Sequence, residues 1–119
     1  MINILFAARP EQFELYEAPL LQGLAQRGIH ANVTTDCPPA DVDYVVYAPS
    51  STLQDFTPYT RCKAVLSLWA GVDKIVGNAS LTQPLCRMVD SGLRDGMVEW
   101  VVGHTLRYHL GMDQHLSRI

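Results

Sequence analysis

The stretch Ala64-Val65-Leu66-Ser67-Leu68-Trp69-Ala70-Gly71-Val72-Asp73 is a mostly apolar run that stops on a glycine. So little polar alternation predicts a strand buried on both faces, as in a parallel sheet. Val72 to Val76 then reads as the first turn of a short helix. A strand that feeds a helix through glycine leaves backbone N–H groups free, and the helix dipole adds partial positive charge there. Such a turn suits a small anion such as a carboxylate. Open α/β sheets hold their ligands at the carboxyl ends of strands, where this turn falls. Gly71 also reads as a plain tight turn, and Trp69 as either core or pocket wall.

Working outward, Ile2 to Ala7 is a first strand of the same buried kind. Ala8-Arg9-Pro10 forms the loop at its carboxyl end, with Pro10 placed to open a helix. Glu11 to Arg27 carries Phe13, Leu20, Leu21 and Leu24 as an apolar stripe, and Gly28 stops it. Pro19 predicts a kink or restart within that helix. Ile29 to Thr35 is a more polar strand suited to a sheet edge. Val42 to Ala48 is a third strand, Leu53 to Cys62 a short irregular helix around Pro58, and Leu85 to Val89 a fifth strand. Strands alternating with short helices predict right-handed crossovers. The expected fold is α/β: a flavodoxin-like, doubly wound, parallel five-stranded sheet of order 2-1-3-4-5 in three layers.

Gly96 to Ser117 reads as one long helix. Met97, Val98, Val101, Val102, Thr105 and Leu106 form one stripe, with Trp100, Gly103 and Tyr108 partly off it. A surface helix needs a single apolar stripe, so this one calls for cover on two sides. It reaches the last residues without a glycine or proline stop, as though the architecture continued beyond them.

The 119 residues suffice for one domain with a real core, and 48% hydrophobic with 18% charged residues indicates a globular chain. A net charge of −3 supplies no basic footprint for nucleic acid, and no polybasic run suits an anionic membrane surface. No stretch has the length of a membrane span, and no basic leader precedes the first strand. Three widely spaced cysteines suit reduced thiols in the cytoplasm. The chain therefore reads as a cytoplasmic domain that binds neither nucleic acid nor membrane.

Metal chemistry finds no support. His104, His109 and His115 are spaced by five and six, which does not put two imidazoles on one helical face, and Cys37, Cys62 and Cys86 form no zinc pattern. Neither a Walker-type loop nor G-x-G-x-x-G occurs, so no dinucleotide is bound in the usual way. Glu99 serves equally as a functional carboxylate or as a first-turn acid favourable to the helix dipole.

Leu68-Trp69-Ala70-Gly71-Val72-Asp73-Lys74-Ile75, Cys86-Arg87-Met88-Val89-Asp90 and Gly96-Met97-Val98-Glu99-Trp100 together resemble the D-isomer-specific 2-hydroxyacid dehydrogenases, in their bacterial glyoxylate/hydroxypyruvate reductase branch. The resemblance covers the whole chain. It departs from the general family at Met97-Val98-Glu99-Trp100, where V-A-E-H is usual. It implies that residues 1–119 are the N-terminal part of the substrate (catalytic) domain, with 96–117 the interdomain helix and the Rossmann cofactor domain missing. It further implies that the amides of Ala70, Gly71 and Val72 bind the substrate carboxylate, that Trp69 lines the pocket, and that Met97 and Val98 lie near the nicotinamide. The whole protein would be a homodimer using NADPH or NADH to reduce a small 2-oxoacid, glyoxylate or hydroxypyruvate. The family's arginine, glutamate and acid–base histidine match nothing here, so no catalytic residue is assigned, no cofactor is expected on the chain alone, and the chain alone should be inactive. The alternative is a stand-alone, non-catalytic flavodoxin-like module that binds a small carboxylate or a partner protein.

Overall fold

A computed structural model describes residues 1–118. Five strands, β1 (Ile2–Ala7), β2 (Ala31–Thr34), β3 (Tyr44–Tyr47), β4 (Ala64–Ser67) and β5 (Leu85–Cys86), form one sheet in the order β2-β1-β3-β4-β5. Every neighbouring pair is parallel. The expected α/β class and strand order are therefore found, with the polar second strand at an edge. β1 has its full expected range, and the later strands are shorter than expected: the third drops Val42, Asp43 and Ala48, and the fifth keeps only Leu85 and Cys86.

Alternation along the strands sends side chains to two faces. On one face Ile4, Phe6, Val33 and Val46 are buried against α1 (Pro10–Gln26), which docks through Phe13, Tyr16, Leu20 and Leu24. Phe6 lies 5.5 Å from the ring of Phe13 and 5.7 Å from that of Tyr16. Tyr16 thus takes a place in the stripe expected of Leu21, which is exposed. The helix runs unbroken through Pro19 and does not restart. It ends as expected at Gly28, whose φ of 69° admits the left-handed turn. There Ile29 N–H donates to Leu24 C=O (2.9 Å) and Gly28 N–H to Ala25 C=O (3.0 Å), which satisfies the orphan carbonyls.

The opposite face has a larger core of Leu5, Val42, Val45, Tyr47, Phe56 and Val65, among others. Its cover is irregular chain. Neither the helix expected over Leu53–Cys62 nor the one expected after Gly71 forms; both segments are turns. The two loops are held instead by anchors and cross-links. Phe56, 1% exposed, meets Tyr47 edge-on at 5.2 Å. Its N–H donates to Ser80 Oγ (3.0 Å), and Asn78 Nδ2 donates to Gln54 C=O (2.6 Å). Burying a phenyl ring stabilises by roughly 1.5–3 kcal/mol, and these bonds remove backbone groups from competition for helical partners.

Residues 89–118 form a second compact unit, following the first, Met1–Met88, in the chain order. The expected single helix over 96–117 is two helices, α2 (Ser91–His109) and α3 (Met112–Ser117). α2 starts early because Asp90 caps it, accepting from Gly92 N–H at 3.1 Å. It ends at Leu110, and Gly111, with φ 64°, turns the chain before α3. Neither helix buries a residue. No helix among the described residues is long and apolar enough to cross a membrane.

Candidate functional site

β4 delivers its last residue, Ser67, to the carboxyl edge of the sheet with its side chain buried (7% exposed). The Ser67 hydroxyl accepts from Trp69 N–H at 3.1 Å and donates to Trp69 C=O, also at 3.1 Å. One buried hydroxyl thus fixes the path of the chain as it leaves the strand. Leu68 N–H still donates to Tyr47 C=O of β3 (2.9 Å), so the turn is tied to its neighbour until one residue before Trp69. At the far side Ile75, 2% exposed, seats in the core, and its N–H donates to Val72 C=O (2.9 Å).

Between these anchors the N–H groups of Ala70, Gly71 and Val72 make no hydrogen bond among the described residues. Gly71 is exposed and Val72 half-buried against the core. The helix that was to supply a dipole behind these donors is a single turn, closed by Val76 N–H to Val72 C=O (3.0 Å). Gly77 follows at once, and one turn cannot repay helix nucleation. What the site has is three consecutive unspent donors held at both ends. Gly71 is not at positive φ, and a Cβ placed there would meet only Asp73 Oδ1, at 3.6 Å. Neither backbone conformation nor packing within the chain demands glycine here. Trp69, 41% exposed, stands beside these amides in sequence with much of its ring in solvent.

A cleft of about 640 Å³ lies at the same edge of the sheet, where β1, β2 and β3 end. Phe6, Ala7 and Phe13 give it an apolar floor, and Arg9, Thr35 and Ser50 to Thr52 bring polar groups to it. This is the switch point of the topology, between the loops after β1 and β3. Those loops are far apart in sequence, and only the strand order brings them together. A second hollow, about 510 Å³ and lined by Thr57, Thr60, Thr82 and Gln83, contains no charged side chain.

The amino edge carries the most organised ion pair. Asp43, 6% exposed, accepts from Arg61 Nε (2.8 Å), Arg61 Nη2 (3.2 Å) and Asn3 N–H (2.8 Å). The guanidinium first, and then the amide, hold its carboxyl below the usual aspartate value. These groups pin β1 to the chain entering β4, and their role is structural.

Met97 and Val98 lie in the second unit, on α2, each 56% exposed. The rings of Trp100 and His104 lie 4.3 Å apart on the same helix, tilted by 46°. No group of three potential metal ligands occurs among the described residues. The sequence reading pointed to the Trp69–Val72 turn and gave no role to Ser67, which fixes that turn, or to Arg9, which lines the cleft. A serine ending an apolar strand two residues before the turn was the available signal for the first.

No family model matches the chain. Among curated proteins it is similar to glyoxylate/hydroxypyruvate reductase A of Serratia proteamaculans (strain 568), 31% identical over 121 residues, which span 96% of this chain and 38% of that protein. It is also similar to glyoxylate/hydroxypyruvate reductase A of Yersinia enterocolitica, 34% identical over 106 residues, 80% of this chain and 33% of that protein. The chain thus spans 33–38% of the length of the curated relatives it matches.

Proposed function

Because the chain belongs, over the stretch it shares with those reductases, to the D-isomer-specific 2-hydroxyacid dehydrogenase family, we propose that it is the substrate-binding part of an NAD(P)H-dependent reductase acting on glyoxylate or hydroxypyruvate. The observation that carries this reading is the run of three unspent amides, Ala70, Gly71 and Val72, at the carboxyl edge of a parallel sheet. Backbone N–H groups fixed by a rigid scaffold bind a carboxylate without reorganising, and they orient its neighbouring carbonyl. Ser67 and Ile75 supply the rigidity. Trp69 shields one side of the bound 2-oxoacid. Met97 and Val98 approach the nicotinamide in the complete protein, where α2 belongs to the connection between domains.

The reduction itself needs a hydride donor, a positive charge on the substrate oxygen and a proton. NADH or NADPH supplies the hydride when bound. Positions matching the family's arginine, glutamate and histidine do not occur in these residues. This chain binds and orients the carboxylate and leaves the chemistry to the rest of a longer, cytoplasmic, homodimeric enzyme. Taken alone it is inactive. The reading is tested by the mass and activity of the product of the uninterrupted gene. A protein two to three times this mass that oxidises NADPH or NADH with glyoxylate or hydroxypyruvate supports it. A full-length protein inert with every 2-oxoacid defeats it, and leaves a non-catalytic carboxylate-binding module as the better account.

A further inference from the structure

The cleft at the ends of β1, β2 and β3 holds more binding capacity than a two- or three-carbon substrate uses. Its volume is about 640 Å³. Arg9 stands on the loop leaving β1, and its guanidinium has no acidic partner among the described residues. Ser50, Thr52 and Thr35 make no side-chain hydrogen bond there, while Ser51 Oγ only accepts, from Leu53 N–H at 3.1 Å. Four hydroxyls and one guanidinium therefore face the cleft with donors unspent, against one carboxylate, Glu14. The apolar floor of Phe6 and Phe13 lowers the local dielectric and strengthens any charge pair formed above it. A planar guanidinium matches a carboxylate or phosphate with paired N–H groups.

The position of this cleft relates it to the amide turn. β3 alone separates β1 from β4, so their carboxyl ends lie about 9.5 Å apart, two strand spacings. A ligand with roughly three to five heavy atoms between its charged ends, met by the long Arg9 side chain, covers that gap. Resting on the reading that Ala70 to Val72 hold the substrate's carboxylate, we propose that Arg9 and the hydroxyls of Ser50 to Thr52 receive the far end of the same molecule, and that the site favours 2-oxoacids whose tail bears a second anionic group.

The test compares two five-carbon 2-oxoacids, 2-oxoglutarate and 2-oxopentanoate, which share a headgroup and differ in the terminal carboxylate. Amide shifts of the isotope-labelled 119-residue chain report affinity and location together, with glyoxylate as the tailless reference. The proposal expects 2-oxoglutarate to bind at least tenfold more tightly than 2-oxopentanoate, with both 70–72 and 50–52 responding. In Arg9→Gln, whose unfolding midpoint serves as the folding control, the ratio falls to near one. Equal affinities in the unaltered chain, or a preference that survives Arg9→Gln, overturn the proposal. Glyoxylate moving residues 70–72 while 2-oxoglutarate gains nothing over 2-oxopentanoate overturns the tail site and leaves the carboxylate turn standing. A 2-oxoglutarate response confined to 50–52 overturns the shared ligand and the carboxylate turn together.

Discussion

Ser67 and Trp69 are joined twice: the serine hydroxyl sits 3.1 Å from both the amide nitrogen and the carbonyl oxygen of the tryptophan. The last residue of β4 thereby sets the direction in which the next three amides point. Ser67→Ala removes an acceptor from Trp69 N–H at a position that is 7% exposed. Chemical unfolding should show a loss of about 1 kcal/mol, the net worth of one such hydrogen bond. Carboxylate binding should weaken with it, because the donors lose their common orientation.

Phe56 ties the irregular cover of the sheet to its core. Phe56→Ala opens a cavity under two loops that have no helix to hold them, and it should destabilise the Met1–Met88 unit by about 3–5 kcal/mol. Urea unfolding followed by circular dichroism measures this. A cost below 1 kcal/mol would mean that the loops are held by their hydrogen bonds alone.

The Asp43–Arg61 pair predicts an acid limb of stability. The folded carboxyl titrates below its free value of about 3.9, so the native state favours the ionised form. Its contribution is complete above pH ~4–5 and is lost as the pH falls through the lower folded value. Asp43→Asn should therefore flatten the pH dependence of the unfolding midpoint below pH ~4–5 and lower the midpoint at pH 7. A mutant that kept the same acid limb would assign it to other carboxylates.

The thiols should separate by accessibility. Burial first of all pushes Cys62 up, and it is 8% exposed, while Cys86 is exposed at the end of β5. Because the thiolate is the nucleophile, native-state alkylation followed by mass spectrometry should label Cys86 first and Cys62 only on unfolding.

The strands were legible because all but the polar edge strand β2 are apolar runs bounded by turn residues, and their alternation with helical segments pointed to the parallel order. Ile2 to Ala7 and Val42 to Ala48 read as strands for that reason alone. The cover of the second face was not legible. Phe56, Ser80, Asn78 and Gln54 have no periodicity, and the contacts that hold them are long-range. Leu53–Cys62, around Pro58, and Val72–Val76, after Gly71, therefore read as short helices where the structure has turns. The final helical stretch ends at Ser117 as expected, but it starts early and is interrupted because two local signals outweigh its apolar pattern: Asp90 as a cap, and Gly111 at a left-handed φ. The turn after β4 was legible from its glycine, whereas the helix expected behind it is a single turn and brings no dipole to the amides. Arg9 escaped notice because only the fold brings its loop to those of Thr35 and Ser50.

The account rests on the amides of Ala70, Gly71 and Val72 being a carboxylate site, and a titration of the labelled chain with oxalate tests this most directly. The account predicts saturable downfield shifts at those three N–H groups, with smaller changes at Trp69 and Ser67. Gly71→Val should abolish them while leaving the unfolding midpoint nearly unchanged, since the nearest atom to an added Cβ is Asp73 Oδ1 at 3.6 Å. Three amides that stay fixed at millimolar oxalate, or a response in Gly71→Val equal to that of the unaltered chain, would contradict it.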